Sequence, residues 1–458
     1  MPTATLHDRI LGCVLGGALG DAWGGPYEGA LPHEAPVFSP VGRLSDDTQM
    51  TLATCESIIK RSAVEPGNIA GSLLSWFETG RIHGLGASTL KALRDLQAGA
   101  HWALAGAKGD RAAGNGAAMR VAPLAFLLDP IVMADRVLIR DVARITHHHD
   151  EAYIGALAVL VAIRLMVFGT WQPEEASLLE VVAALLPDSQ VRDRLLRYRD
   201  LPAGTSPREV ADCWGSSGYV VESVPLALFA AQTVANRPFE TVIAEAVAAG
   251  GDADTVASIA GQVVGARVGV AALPAKLLAH LEDIGGIQRI AEAFAATVER
   301  IREQRGLARL PLDEDEFDPA DEVKPRWESG TSIDKLSLKF DLKNEPWKQD
   351  WALETADPDL IDRLLDSYAD PAFTEDDRFA LMALLVASLD EAKSQERDID
   401  RQWARTAELL RLHAMLHAYT MAYWARGEDP DPDHFFDITP EMRSLWAELR
   451  PVCVARRD

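Results

Sequence analysis

Gly250-Gly251-Asp252-Ala253-Asp254-Thr255 runs directly into Val256-Ala257-Ser258-Ile259-Ala260-Gly261, a glycine stop that opens into an apolar helix. Two carboxylates and a hydroxyl crowd the first turn. The helix then carries Gly261, Gly265 and Gly269 at four-residue spacing. Small residues so spaced share one face and let a second helix lie tightly against it, so this segment is expected at the centre of a bundle. Far earlier, Ser45-Asp46-Asp47-Thr48 opens another helix, expected over Ser45–Ile59. Asp46 followed three residues on by Gln49 fits a capping box, and acidic groups in a first turn favour the helix dipole. Capping does not require a second adjacent carboxylate flanked by hydroxyls. The chain twice places paired oxygen ligands at a helix start.

Around these two clusters the pattern is helical. Arg9–Leu19 reads as a small-residue helix, ended by Gly20-Asp21-Ala22-Trp23-Gly24-Gly25-Pro26-Tyr27-Glu28 as a shaped loop. Read alone, that loop is a helix C-cap with a solvated glutamate. Further helices are expected at Asn68–Thr79, Ser88–Ala98 and Glu151–Phe168. Gly114-Asn115-Gly116 before an apolar segment expected to be helical leaves backbone N–H groups free, a pattern that attracts phosphate but is also an ordinary turn. Thr146-His147-His148-His149 suggests a metal, yet consecutive residues point apart, so at most one or two share a ligand. Tyr219, before another apolar helix, stacks on a base or simply packs. No alternating β-branched run occurs in residues 1–300, so an all-α fold is expected.

At 458 residues the chain exceeds what one core usually supports, and two domains are expected. Residues 1–308 form the first, 309–350 an acidic linker or draped arm centred on Leu312–Pro319, and 351–458 a helical C-terminal domain. Helices are expected there at Asp357–Tyr368, Glu375–Ser394, Trp403–Arg426 and Thr439–Leu449. Six of the eleven tryptophans follow residue 310, but no chemical motif does. Residues 1–310 carry 34 acidic and 27 basic side chains, residues 311–458 carry 35 and 18. A surface this acidic repels nucleic acid and anionic membranes, so neither is expected as a main partner. Cys13, Cys55, Cys213 and Cys453 are scattered and read as reduced thiols. Met1-Pro2-Thr3 is no charged n-region and Leu11–Gly25 is too broken by glycine to span a membrane, so a cytoplasmic location is expected.

Five stretches taken together resemble the ADP-ribosylglycohydrolase family: residues 20–28, Ser45–Thr48, Gly114-Asn115-Gly116-Ala117-Ala118-Met119-Arg120, Thr146-His147, and Gly250–Thr255. The resemblance covers about residues 8–300. It implies a compact orthogonal helix bundle with a site for two Mg²⁺ or Mn²⁺ in a cleft that binds ADP-ribose. By position it implies Ser45, Asp46, Asp47, Asp252, Asp254 and Thr255 as metal ligands. Oxygen-only ligands suit those hard cations, and four converging carboxylates would repel strongly without one. Glu28 matches an acidic position that acts in catalysis or gates the site. Gly114, Asn115 and Gly116 match the diphosphate contact, His147 a ribose or phosphate contact, and Tyr219 an adenine neighbour.

The implied reaction removes ADP-ribose from a modified protein, most often from arginine, through an oxocarbenium-like transition state. Asp254 or Asp47 would take the proton of the attacking water. A catalytically silent ADP-ribose-binding relative is one rival. Another is an immunity factor that occludes an ADP-ribosylating toxin through a protein partner on the acidic C-terminal region. The full set of oxygen ligands argues against the silent relative.

Overall fold

The computed structural model describes residues 4–33, 36–39, 41–109, 112–304, 326, 328–342, 351–425 and 436–454. It divides into two compact units, Met1–Pro319 and Ala320–Asp458, each built on its own hydrophobic core.

The first unit opens with α1 (Leu6–Gly24), α2 (Asp46–Arg61), α3 (Pro66–Glu78) and α4 (Ala87–Gln97). A two-residue strand β1 (Ala107–Lys108), α5 (Met133–Arg144), a second short strand β2 (His147–His148) and α6 (Asp150–Phe168) follow. Then come α7 (Leu178–Ala184), α8 (Gln190–Arg199), α9 (Pro207–Trp214), α10 (Val220–Ala231) and α11 (Phe239–Val247). Helices α12 (Ala253–Val268), α13 (Ala275–Leu278) and α14 (Ile284–Gln304) complete the unit. The fold is all-α, and its parallel pair β1–β2 serves only to tie His147 beside Ala107. Helix α6 is long and apolar enough to cross a membrane by composition, but it is almost wholly buried inside the unit. It is the core helix.

The axis of the unit is the crossing of α1 and α12. A Cβ added at Gly12 would lie 2.3 Å from Gly265 O, at Gly16 2.4 Å from Gly261 O, at Gly20 2.0 Å from Ala257 O, and at Gly24 2.4 Å from Ala253 O. One number rises by fours as the other falls, so the helices run antiparallel with backbones in contact. Each glycine costs about 1 kcal/mol of helix propensity relative to alanine, offset here by an approach no side chain permits. This corrects the expected end of α1 at Gly20. Gly20 and Gly24 are contact points rather than terminators, and Asp21-Ala22-Trp23 remains helical and buried. The antiparallel register places the end of α1 beside the beginning of α12.

The second unit comprises α15 (Gly330–Phe340), α16 (Trp351–Glu354), α17 (Ile361–Ser367), α18 (Glu375–Ser394), α19 (Asp400–Leu412), α20 (Ala418–Trp424) and α21 (Thr439–Val454). Its centre is α18, capped by a Thr374–Asp377 box and buried along Leu381, Leu384, Leu385 and Leu389. Two expectations are corrected. The stretch expected as a linker to residue 350 contains α15, because Leu336 and Phe340 recur at helical spacing and are buried. Asp377 also holds α15, accepting from Ser332 Oγ and Lys335 Nζ at 2.8 and 2.6 Å. The helix expected over Trp403–Arg426 is two, broken at residues 413–417, where His417 turns inward to hydrogen-bond the Tyr368 hydroxyl. Leu312–Pro319, Trp327 and Trp347 lie outside the described residues.

Candidate functional site

The first turn of α2 shows why its carboxylates are free for chemistry. Ser45, not Asp46, is the N-cap, and its Oγ accepts from Asp47 N at 3.3 Å. The next donor, Thr48 N, is taken by Asp21 Oδ2 at 3.2 Å, as is Thr48 Oγ1 at 2.5 Å. Ser45 N reaches both Asp21 oxygens at 3.1 Å. Asp21, fully buried near the end of α1, thus caps α2 from another helix. The capping box expected of Asp46 and Gln49 does not form: Gln49 instead accepts from His83 N and donates to Leu44 O. Sequence reading missed Asp21 as a site residue, because only the packing of α1 against the start of α2 brings the two together.

The start of α12 behaves the same way. Asp252 occupies the N-cap position, but its side chain makes no capping bond and accepts from Asn115 Nδ2 at 2.5 Å. Gly250 and Gly251 have φ of 66° and 65°, a left-handed turn in which a Cβ would meet Ala30 O at 2.5 Å and Ser216 Oγ at 2.2 Å. The turn clamps two loops. Gly29 N donates to Gly251 O at 2.6 Å and Gly251 N to Ala30 O at 2.8 Å, which fixes the loop after Glu28. Asp252 N donates to Ser216 O at 2.7 Å, which fixes the approach to Tyr219. Asp254 Oδ1 accepts from Thr255 N at 2.9 Å. Thr255 Oγ1 donates to Asp47 Oδ2 at 3.0 Å and so joins the two acidic clusters.

Carboxylate oxygens of Glu28, Asp252 and Asp254 lie within 4.8 Å of one another. Asp46 and Asp254 are pushed up to about 8, first by burial and then by neighbouring carboxylates: Asp21, Asp252 and Glu28 act on Asp46, and Asp252, Asp21 and Glu28 on Asp254. Asp47 rises well above the ordinary range through burial and the charge of Asp254, with smaller effects from Asp21, Asp46 and Asp252. Burial also raises Asp252, against the bond from Asn115. Asp47 Oδ1 is buried with no hydrogen-bond partner. An all-oxygen set with converging like charges and an orphaned buried acceptor fits a hard divalent cation.

Beside the acidic cluster, Gly114 bridges to the Tyr219 backbone, and Asn115 N donates to Gly218 O at 3.1 Å. Asn115 N is therefore not free, and the segment is a short 3₁₀ turn, Asn115–Ala117, followed by another at Ala122–Phe126, where Pro123 opens it. These findings correct the expected nest before an apolar helix. Its glycines make room for a ring: a Cβ at Gly114 would lie 2.9 Å from His147 Nε2, and at Gly116 2.8 Å from His147 Cε1. The three histidines diverge. His147 meets Thr146 Oγ1 at 2.7 Å, His148 Nε2 meets Ala105 O at 2.6 Å, and His149 Nδ1 caps α6 at Glu151 N. Tyr219 is half-buried and its hydroxyl donates to Gln190 Oε1 at 3.3 Å.

The unit pools carboxylates from two helix starts beside a glycine-lined histidine, an arrangement that can hold a cation and handle protons. The ADP-ribosylglycohydrolase family model matches residues 2–305, and the chain belongs to that family. It is similar to the ADP-ribosylarginine hydrolase Tri1 of Pseudomonas putida, 28% identical over 302 residues that span 62% of this chain and 77% of that one. An ADP-ribosyl dinitrogen reductase glycohydrolase of Rhodospirillum rubrum is 27% identical over 304 residues, 62% of this chain and 93% of that one. The ADP-ribosylhydrolase ARH3 of Danio rerio is 27% identical over 317 residues, 58% of this chain and 84% of that one. The family match ends before the second unit.

Proposed function

We propose that the chain releases ADP-ribose from a modified protein side chain, with ADP-ribosylarginine as the preferred linkage and two Mg²⁺ or Mn²⁺ as cofactors. The observation that carries this reading is the Thr255–Asp47 contact, which gathers both acidic helix starts at one place and leaves Asp47 Oδ1 unpartnered. Ser45, Asp46, Asp47, Asp252, Asp254 and Thr255 are the residues that would hold the cations. Bound there, the cations would orient the ribose hydroxyls and lower the pKa of a water.

The chain's own groups do the rest. Gly114, Gly116 and His147 bind the diphosphate and adjoining ribose, Asn115, whose donors are taken by Gly218 O, Ser223 Oγ and Asp252 Oδ2, serves them by positioning Asp252, and Tyr219 lies against the adenine. Glu28, with Asp252 and Asp254 in the same carboxylate group, acts on the reacting ribose. Asp254 or Asp47 accepts the proton of the attacking water, the task of a positioned carboxylate in hydrolysis. The arginine linkage is supported by the likeness to ADP-ribosylarginine hydrolases, and four free cysteines support a reducing, cytoplasmic setting. We assign the acidic second unit to a protein partner rather than to the chemistry.

Incubating the full chain with ADP-ribosylarginine and ADP-ribosylserine peptides, with Mn²⁺ or with EDTA, tests the reading by mass spectrometry of released ADP-ribose. Release from arginine that needs the metal is expected. Turnover that survives exhaustive EDTA removes the metal mechanism, and release from serine alone removes the linkage.

A further inference from the structure

We propose that Arg120 acts through Thr146 to hold His147 as its Nε2–H tautomer, presenting a hydrogen-bond donor to the ligand beside Gly114 and Gly116. Arg120 is 1% exposed. Its Nη2 donates to Val142 O at 3.1 Å and to Thr146 Oγ1 at 2.8 Å, and its Nη1 donates to Gly116 O. A guanidinium has donors and no acceptor, so the contact with Thr146 has one direction: Oγ1 accepts. A threonine hydroxyl carries a single hydrogen. The neighbour that hydrogen can reach is His147 Nδ1, 2.7 Å away. Were the proton on Nδ1, Oγ1 would accept twice and its own buried hydrogen would be left without a partner, so the satisfied arrangement has Nδ1 bare and accepting and the ring proton on Nε2.

Two further observations support the chain of donors. Burial lowers the Arg120 pKa only to about 10, so the guanidinium keeps its charge near neutrality. Burial, then the Arg120 charge, pushes His147 down to about 3, so the ring stays neutral and the tautomer question has one answer. The consequence lies at the two glycines, on which the buried ring packs. Nε2 and Cε1 face the positions where any Cβ at Gly114 or Gly116 would stand, and the Gly116 carbonyl is held by Arg120 itself. A phosphate oxygen has no hydrogen to offer, so it binds an Nε2–H and is repelled by a bare Nε2. Arg120 and Thr146 are thus positioning residues that bias the site toward anionic acceptors. This ligand assignment rests on the diphosphate reading above, whereas the tautomer does not.

The test uses the full chain labelled with ¹⁵N-histidine. Two-bond ¹H–¹⁵N correlations of the His147 ring should show the Nε2–H tautomer alone between about pH 6 and 8. Thr146→Ser should keep that pattern. Thr146→Val, which lacks the hydroxyl, should give a mixture or the Nδ1–H form, weaken ADP-ribose binding by roughly tenfold, and leave Mn²⁺ affinity unchanged. An Nδ1–H or doubly protonated ring in the wild type overturns the relay, as does an unaltered ring in folded Thr146→Val. If Thr146→Val does not fold, the wild-type and Thr146→Ser spectra decide. Failure of wild-type protein to bind ADP-ribose would instead remove the ligand assignment while the spectra still judge the relay.

Discussion

Thr255 Oγ1 donates to Asp47 Oδ2 at 3.0 Å across 208 positions of sequence. That single contact sets the start of α12 against the start of α2. Because Ser45 Oγ also bonds Asp47 Oδ2, at 3.3 Å, one oxygen of Asp47 is doubly held and the other has no partner. A carboxylate used only as a helix cap would not be arranged in this way.

Replacing Asp254 by Asn separates ligation from structure. The metal-free protein should be no less stable than wild type, since burial and the charge of Asp252 already disfavour the ionised form. Mn²⁺ binding by calorimetry should weaken, and turnover should fall by roughly a hundredfold or more. Full activity in Asp254→Asn would return this carboxylate to a structural role.

Stability of the metal-free chain should depend on pH in a stated direction. Asp46 and Asp254 sit near 8 when folded and near the ordinary value of 3.8 when unfolded. Between those values the folded state binds more protons, so the stabilisation is complete below the unfolded pKa and is lost as pH rises through the folded one. Thermal melts in EDTA should therefore give a lower Tm at pH 8 than at about pH 5 from these groups. Added Mn²⁺ should raise Tm more at the higher pH, because binding no longer has to displace protons.

Asp21→Ala should strand Ser45 N and both Thr48 donors in a buried place, at a cost of about 1–3 kcal/mol in denaturant unfolding. It should also weaken Mn²⁺ binding by roughly 10- to 100-fold, as for other groups that orient metal ligands. Unchanged Mn²⁺ affinity in the folded variant would show that α2 holds its own first turn.

Two glycine-to-alanine changes should have opposite signs. At Gly71, in α3, an added Cβ meets nothing within 4 Å, so alanine should stabilise by up to about 1 kcal/mol. At Gly261 the Cβ would lie 2.1 Å from Gly16 O, and alanine should destabilise by several kcal/mol or prevent folding. Equal melting temperatures for the two variants would contradict the backbone contact between α1 and α12.

A chain ending at Pro319 should retain turnover on a small ADP-ribosylated substrate, because the site residues and their supports all lie in the first unit. Activity lost from a folded protein of that length would give the second unit a part in the site.

Helices α1–α4, α6, α10, α12 and α17–α19, the acidic starts at Ser45–Thr48 and Asp252–Thr255, and the glycine stripe from Gly261 to Gly269 were legible in the sequence because they are local: helical periodicity, turn chemistry and residue size act over a few positions, whereas α5, α7–α9, α11, α13 and α14 were not read. α15 escaped notice because its buried face is only Leu336 and Phe340 within polar sequence. What no linear reading supplies is the pairing of distant parts. That α12's glycines meet those of α1, that Asp21 caps a different helix, that Asn115 reaches Asp252, and that Thr146 and Arg120 both bear on His147 follow from the crossing of helices. Backbone contact between α1 and α12 brings three helix ends into one buried volume. There, desolvation and mutual repulsion convert ordinary aspartates into a site, an effect that depends on distances of a few ångströms and on nothing that sequence spacing records.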